Sequence, residues 1–218
     1  MKLTKYIHSC VFLEKNGEKL LIDPGIFTFM QDVTPETFKD VRTILITHNH
    51  PDHVDPKALK IIVEMSGATI VTNEEVQKAL EAADVQTTFV TGLNYETSEF
   101  KIEGIAAAHA NILSDTLPKN TAYLINQVLL VPGDSFSETL TQLGGVEVLL
   151  LPIMAPWMTE LSVAEFARLV HPKRIVPIHD GYAKDFFLQN RYENFKKNFS
   201  KDGMVFEMLA KPGDSIEI

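Results

Sequence analysis

Cysteine and long apolar runs are the features that this sequence most clearly lacks. The chain has a single cysteine, Cys10, so no disulfide can form within it. Its longest apolar stretch, residues 146–157, is interrupted by Glu147, Pro152 and Pro156 and is too short for a membrane span. The N-terminus holds no apolar segment of the kind found in signal peptides. We therefore expect a soluble, cytoplasmic protein with no membrane partner.

Basic residues are also scarce. Lysine and arginine number 20 against 29 aspartates and glutamates, and the formal net charge is −9 at pH 7. Nucleic-acid binding requires clustered positive charge. The densest basic stretch, Lys196, Lys197 and Lys201, has the spacing of a solvated helix face. We expect a small-molecule substrate as the partner rather than nucleic acid, and nothing in the composition excludes a homo-oligomer.

Strand and helix patterns alternate along the chain, which is typical of an α/β protein. Asn16-Gly17 predicts a tight hairpin turn, and Asp55-Pro56 predicts the start of a helix that ends at Gly67. After His179 the pattern predicts two short helices and a final pair of strands. Because no repeat or low-complexity segment divides the 218 residues, we expect one domain over residues 1–218.

Polar residues with metal-binding side chains follow several predicted strands at the point where each strand ends. They are Asp23, His48, His109, Asp134 and His179. Strand ends at one edge of a sheet are rigid, and loops placed there carry functional sites. The repeated position therefore indicates a single site to which all five strand ends contribute.

The segment THNHPDHV, residues 47–54, concentrates His48, His50, Asp52 and His53 in six positions, although the whole chain has only 7 histidines. Imidazole and carboxylate are common ligands of zinc and similar divalent ions. The His-x-His spacing lets two rings reach one metal, while Asp52 and His53 can serve a second. Two metals about 3.5–4 Å apart can share a bridging hydroxide that is nucleophilic at neutral pH. A lone histidine is more often structural, but four ligand-type residues in this order favour a metal site.

The segment from His48 to His53 resembles the His-x-His-x-Asp-His motif of the metallo-β-lactamase-fold hydrolases. Leu20-Leu21-Ile22-Asp23-Pro24 resembles the first motif of that family, Ala108-His109 the third, Gly133-Asp134 the fourth and Pro177-Ile178-His179 the fifth. The resemblance runs in order from residue 3 to about residue 180. It implies a metallo-β-lactamase-like α/β fold, a four-layer αββα sandwich with the site at one edge of two sheets.

The resemblance also implies a role for each matching residue. The first metal would be held by His48, His50 and His109, the second by Asp52, His53 and His179, with Asp134 bridging the two. Asp23 would orient a ligand histidine from behind. Asp52, which would also help to hold the hydroxide, and His179 are the catalytic candidates. The implied cofactors are two divalent metal ions, with zinc the first expectation and manganese or iron the alternatives.

The N-terminal segment Tyr6-Ile7-His8-Ser9 is similar to a small bacterial branch of the family that includes ascorbate-6-phosphate lactonase-like proteins. That branch usually has glycine before the histidine, where Ile7 stands here. His8 is therefore a candidate to support a ligand or to face the pocket, and the alternative is a structural strand histidine. Trp157 and Phe27 are the candidates to wall a substrate pocket, and the alternative for both is packing of loop residues on the core.

The function expected from these residues is a binuclear metal-dependent hydrolase. It would use a metal-bridging hydroxide to cleave an ester, lactone or phosphoester bond of a small molecule. A phosphodiesterase or nuclease of the same fold, a non-catalytic metal-binding regulatory protein and an iron-dependent oxidoreductase are the alternatives.

Overall fold

Two seven-stranded sheets packed face to face form the centre of the molecule. The computed structural model describes all 218 residues, Met1–Ile218. One apolar core lies between the sheets, and two further cores lie between each sheet and the helices on its outer face. The layers are therefore helix, sheet, sheet and helix, which confirms the predicted αββα sandwich.

The elements are numbered in chain order. The strands are β1 (Lys2–Lys5), β2 (Val11–Lys15), β3 (Glu18–Ile22), β4 (Thr43–Leu45), β5 (Thr69–Val71), β6 (Phe89–Val90), β7 (Asn94–Glu96), β8 (Lys101–Ala106), β9 (Thr121–Ile125), β10 (Leu129–Val131), β11 (Val148–Pro152), β12 (Arg174–Ile178), β13 (Val205–Phe206) and β14 (Ser215–Glu217). The helices are α1 (Pro56–Ser66), α2 (Glu74–Ala82), α3 (Glu138–Thr141), α4 (Glu160–Val170) and α5 (Asp185–Phe199). Three 3₁₀ turns cover Ile26–Phe29, Pro35–Phe38 and Ser200–Asp202.

The strand order aligns the ends of the strands that carry the predicted site. The first sheet runs β14-β1-β2-β3-β4-β5-β6, and the second runs β13-β12-β11-β10-β9-β8-β7. Strands β3 to β6 are mutually parallel, as are β10 to β13. Strand β8 is antiparallel to β9, which is antiparallel to β10, so β8 and β10 end at the same edge. Ligand sites in α/β folds form at such carboxyl ends.

The apolar runs of the strands reflect burial on both faces. In β3, Leu20 and Ile22 point into the core between the sheets, whereas Leu21 points outward against helices α1 and α2. In β11, Leu150 faces the central core, while Leu149 faces α4 and α5. A strand covered on both faces needs apolar residues at every position, so it loses the alternating pattern of a half-exposed strand.

The predicted turn and capping signals are confirmed. Asn16 and Gly17 have φ of 49° and 84° and join β2 to β3. The Asp55 side chain accepts hydrogen bonds from two backbone amides of α1, and Gly67 ends the helix with φ of 65°. Both glycines lie in the left-handed region that favours glycine. None of the helices is long and apolar enough to cross a membrane.

The C-terminal prediction is partly wrong. One 15-residue helix, α5, replaces the two short helices, and only a 3₁₀ turn follows it. Its buried residues Tyr192, Phe195 and Phe199 share one face, so this one helix, beside α4, covers the outer face of the second sheet. The last two strands do not pair with each other, because β13 extends the second sheet beside β12 and β14 joins the first sheet beside β1.

Tyr123 joins the two sheets close to the site. This fully buried side chain of β9 donates its hydroxyl hydrogen across the central core to the carbonyl oxygens of Ile46, at 3.0 Å, and Val71, at 3.3 Å. Both acceptors lie at the carboxyl ends of strands in the first sheet. The hydroxyl therefore connects β9 of the second sheet to the end of β5 and to Ile46, the residue that directly precedes THNHPDHV in the first sheet.

We predict that Tyr123→Phe lowers the free energy of unfolding by about 1 kcal/mol, the usual net contribution of a buried hydrogen bond. Urea denaturation measures the change. Tyr95→Phe is the matched control, since the Tyr95 hydroxyl makes no hydrogen bond within the chain. An equal loss in both variants would show that the Tyr123 bridge contributes nothing specific.

Candidate metal centre

All of the predicted ligand residues lie at one edge of the sandwich, in loops that follow strands β4, β8, β10 and β12, and Asp23, predicted to orient a ligand, follows β3 at the same edge. The segment after β1 contributes His8 at the same edge. Apart from His50, which is half-buried, these residues are buried. The strand-end regularity seen in the sequence therefore corresponds to one place in the fold.

The ligand-type atoms form two adjacent groups, within each of which all atoms lie within 4.8 Å of one another. One group is His48, His50, His109 and Asp134, and the other is His8, Asp52, His53 and His179. The first contains the three residues expected at the first metal, and the second contains the three expected at the second. His8 is the addition to the expected sets.

Asp134 lies between the two groups. Its Oδ1 is 3.3 Å from the Nε2 of His53, and its Oδ2 is 3.2 Å from the Nε2 of His179 and 3.6 Å from the Nε2 of His109. The carboxylate thus faces ligand-type nitrogens of both groups. Although burial opposes ionisation, the charges of His179 and His53 hold the pKa of Asp134 well below its usual value.

Four fully buried atoms at this point have no hydrogen-bond partner: the Nε2 atoms of His53, His109 and His179 and the Oδ1 of Asp134. Buried polar atoms are nearly always paired, because losing water without gaining a partner costs about 1–3 kcal/mol for each group. Imidazole nitrogen and carboxylate oxygen are the ligands that divalent transition ions prefer. A metal centre fits both the donor chemistry and the unmet need for partners.

The Asp23 carboxylate holds the THNHPDHV segment from behind. Its Oδ1 accepts from the backbone amide of Thr47 at 2.8 Å, and its Oδ2 accepts from the Thr47 hydroxyl at 2.7 Å and from Nδ1 of His53 at 2.8 Å. With its Nδ1 hydrogen engaged, His53 turns its Nε2 toward Asp134. Burial opposes a charge on His53, but Asp134 and Asp23 together raise its pKa well above the usual value.

Backbone carbonyls fix two further rings. The Nδ1 of His109 donates to the carbonyl oxygen of Ala110 at 2.6 Å, and the Nδ1 of His179 donates to that of Met154 at 2.6 Å. A carbonyl can only accept, so each Nδ1 carries a hydrogen and each Nε2 faces the centre. Such outer contacts orient metal ligands and set their tautomer.

His8 lies behind Asp52 rather than in a strand or on the cavity wall. The backbone amide of Gly181 donates to His8 Nδ1 at 3.0 Å, so the ring hydrogen is on Nε2, which donates to Asp52 Oδ2 at 3.2 Å. Burial lowers the pKa of His8 to about 4 and keeps the ring neutral. Both nitrogens are therefore engaged, and His8 acts as a support for Asp52 instead of a ligand.

Asp52 receives a second support from Tyr182, whose hydroxyl donates to the same Oδ2 at 2.9 Å. Partial burial raises the pKa of Asp52, but the adjacent rings of His179 and His8 outweigh it and lower the pKa far below its usual value. Asp52 is therefore an ionised acceptor at neutral pH, and it faces the cavity described below.

Three residues of the site have a strained backbone conformation. Asp23, His8 and His179 have φ of 44°, 61° and 61°, in the left-handed region that non-glycine residues rarely adopt. Such strain collects at functional sites, where the surrounding structure holds it in place. The close approach of Gly25 to the backbone of Asp52 leaves no space for a Cβ, which fixes the path of the loop.

A cavity of about 480 Å³ opens onto the centre. It is lined by the predicted ligands His50, Asp52, His109, Asp134 and His179. Trp157 also lines the cavity, as predicted from its loop. Phe27 does not, because the 3₁₀ turn over Ile26–Phe29 packs its ring behind the cavity, with centroids 4.9 Å from His8 and 5.0 Å from Tyr182.

Sequence patterns missed the residues that connect the loops. The buried Asn120 accepts from the Asp134 amide at 3.2 Å and donates to the carbonyl oxygens of Ala107, at 3.1 Å, and Pro132, at 3.0 Å. It thus ties the loop of His109 to that of Asp134. A single asparagine in a polar stretch carries no sequence signal for this role. Thr47 could have been found, since it begins the histidine-rich segment.

We predict that Asp23→Asn weakens metal binding about 10–100-fold, as losses behind a ligand histidine commonly do. Asparagine keeps the size of the side chain and tolerates the positive φ, so the change removes the charge and one of the two acceptor oxygens without altering the backbone. Competition with a chromophoric chelator measures the affinity. Asp40→Asn, an exposed acid of the same half of the molecule, is the control. Unchanged affinity for Asp23→Asn would contradict the role given to Asp23.

We predict that metal binding to the metal-free protein releases protons at pH 7.5. Burial opposes a charge on His179, but the adjacent carboxylates of Asp134 and Asp52 outweigh it and raise the pKa of His179 to about 9, so its ring is charged below that pH. A ligand imidazole must be neutral, so affinity should rise as pH rises from 6.5 toward 9. Calorimetry in two buffers of different ionisation enthalpy detects the release, and identical heats would contradict it.

Comparisons with known proteins agree with the geometry. Residues 2–179 match the family model described as "Beta-lactamase superfamily domain". Protein Rv0786c of Mycobacterium tuberculosis is 31% identical over 189 residues, with 83% of this chain and 84% of that protein covered. A UPF0173 metal-dependent hydrolase of Pyrococcus abyssi is 28% identical over the full length of both chains.

The fold has a close counterpart among solved structures. Igni18, a metallo hydrolase from Ignicoccus hospitalis, superposes with a TM-score of 0.79 at 22% identity, covering 100% of this chain and 98% of that one. At this identity the likeness establishes the fold alone. With the family match over residues 2–179, it confirms the family that the motifs predicted: the chain belongs to the β-lactamase superfamily and has the metallo-β-lactamase fold.

Proposed function

We propose that this protein is a metal-dependent hydrolase that holds two divalent ions and cleaves an ester, lactone or phosphoester bond of a small molecule. The observation that carries the proposal is the pair of adjacent ligand groups, with four buried and unpartnered donor atoms, at the end of an open cavity. The printed name of the full-length Pyrococcus abyssi relative, a metal-dependent hydrolase, supports the same enzyme class.

The proposed ligands are those expected from the sequence. His48, His50 and His109 would hold one ion, Asp52, His53 and His179 the other, and Asp134 both. Zinc is the first candidate, and manganese and iron fit the same donors. When bound by these residues, the metal would supply a water of lowered pKa as a nucleophile near neutral pH and a Lewis acid for the bond to be cleaved.

The chain itself would position the reactants and handle the proton. Asp52, an ionised carboxylate at the cavity, would accept a hydrogen bond from the attacking water and orient it. His8 and Tyr182 hold the Oδ2 of Asp52, so that Oδ1 is the atom free to face the reactants. His179, 3.4 Å from Asp52, is the second residue proposed to act in catalysis.

The proposed catalytic unit is the whole chain, residues 1–218, because its last strand pairs with its first. A small molecule in the cytoplasm is the proposed partner. A nuclease or phosphodiesterase role is less favoured, because no lysine or arginine lines the cavity and the net charge is −9. A regulatory role without catalysis is less favoured, because a purely regulatory metal site does not need an accessible cavity. The remaining alternative, an iron-dependent oxidoreductase, is tested by identifying the bound metal.

We predict about two metal ions per chain for the purified protein and turnover of at least one class among esters, lactones and phosphodiesters. Asp134→Asn should reduce the content to one ion or fewer and lower kcat/KM at least about 100-fold, because both ions lose a ligand. Elemental analysis and a chromogenic substrate screen on the same sample measure both quantities.

Asp115→Asn is the matched control, an exposed acid in the loop after β8. It should leave metal content and turnover unchanged. Two ions in Asp134→Asn would disprove the bridging assignment, and a fully loaded protein that hydrolyses none of the substrates would disprove the proposed reaction.

A further inference from the structure

The charge of the cavity wall limits the kind of substrate that fits. Every ionisable group that lines it belongs to the proposed centre, except Tyr182. The remaining lining residues are Pro51, Asn111, Ile112, Leu113, Pro156 and Trp157. Beyond the centre, therefore, the side chains of the wall offer one amide, one phenol, one indole N–H and apolar surface, and no cation.

The apolar part of the cavity wall is held in place by packing against other aromatic side chains. The Trp157 ring packs edge-on against Phe136, with centroids 5.1 Å apart, and Phe136 stacks on Phe166 of α4 at 4.5 Å. This aromatic row connects Trp157 to the outer core of the second sheet. On the side of Asp52, Tyr182 is backed by Phe27 and His8. Trp157 and Tyr182 are thus held in place before any ligand arrives.

The exposed side chain of Leu113 indicates which kind of ligand the cavity favours. It is fully exposed, although it lines the cavity. A leucine in water loses about 1.5–3 kcal/mol relative to a buried one. An apolar group seated in the cavity would cover Leu113 and Ile112 of the loop after β8 and make that contact favourable.

We propose that the substrate, outside the bond that is cleaved, is uncharged and apolar: an alkyl or aryl acyl ester or lactone without a second anionic group. The inference rests on the proposed hydrolase function and names its substrate class. A cavity of about 480 Å³ has the size of a small-molecule site. This size suits a substrate with an apolar acyl group of several carbons.

A remote phosphate or carboxylate is disfavoured for a physical reason. It would lose water on entering and find no cation, and an unpaired buried charge is costly. The nearby Arg191 is already engaged, because its Nε donates to the Ile153 carbonyl oxygen at 2.8 Å and its Nη1 lies 3.5 Å from Glu160.

Two esters of equal length test the proposal on the metal-loaded protein: 4-nitrophenyl hexanoate and the 4-nitrophenyl monoester of adipic acid. They differ only in the carboxylate at the far end of the acyl chain. We expect kcat/KM for the hexanoate to be at least tenfold higher. Equal values, or a preference for the adipate, would overturn the proposal.

Substitutions in the wall sharpen the test. Leu113→Arg should reduce the preference for hexanoate several-fold by giving the carboxylate a partner, and Leu113→Met should leave the preference unchanged. Trp157→Ala should lower kcat/KM for hexanoate more than for 4-nitrophenyl acetate, which is too short to use the wall. A preference that is the same in Leu113→Arg and in the parent would also overturn the proposal.

A binding measurement separates failure of the inference from failure of the proposed function. Trp157 is the only tryptophan in the chain, so the fluorescence of the protein reports on the cavity wall. Hexanamide should change this fluorescence at lower concentration than adipic acid monoamide does. If no ester is hydrolysed but this order holds, the proposed hydrolysis is wrong and the preference for apolar ligands stands. Tighter binding of the anionic amide would overturn it.

Discussion

The alignment of strand carboxyl ends is the constraint on which the site depends. Strands β3 and β4 of one sheet and β10 and β12 of the other end at the same edge, and the two sheets share a core up to that edge. Loops as far apart in sequence as those of Asp23 and His179 therefore meet. The buried hydroxyl of Tyr123 and the amide of Asn120 connect loops that the strands alone would leave free to separate.

Electrostatics explains why this edge needs a ligand. Carboxylates of Asp23, Asp52 and Asp134 lie buried among imidazoles, and they raise the pKa of His53 and His179 while His48 has its pKa lowered by burial. Without metal, the charge of these carboxylates is balanced by protonated rings of His53 and His179. Divalent ions would replace those protons, so the same arrangement that strains the metal-free centre favours metal binding.

Much of this organisation was predictable from the sequence, because strong local signals coincide with the site. The Asn16-Gly17 turn, the Asp55 cap and the strand-end positions of Asp23 and His179 depend on short-range chemistry. The support of Asp52 by His8, the Asn120 bridge and the placement of Phe27 behind the cavity were not predictable. They arise from contacts between segments distant in the chain. Local sequence patterns do not determine which side chains of a loop face the site. The pairing of β14 with β1 was missed for the same reason.

The central claim is that the two ligand groups together hold two metal ions with Asp134 between them. Anomalous diffraction from crystals of the metal-loaded protein, collected on both sides of the absorption edge of the bound metal, tests it most directly. Two anomalous peaks are expected, one beside His48, His50 and His109 and one beside Asp52, His53 and His179, each within ligand distance of Asp134. A single peak, or two peaks away from these side chains, would contradict it.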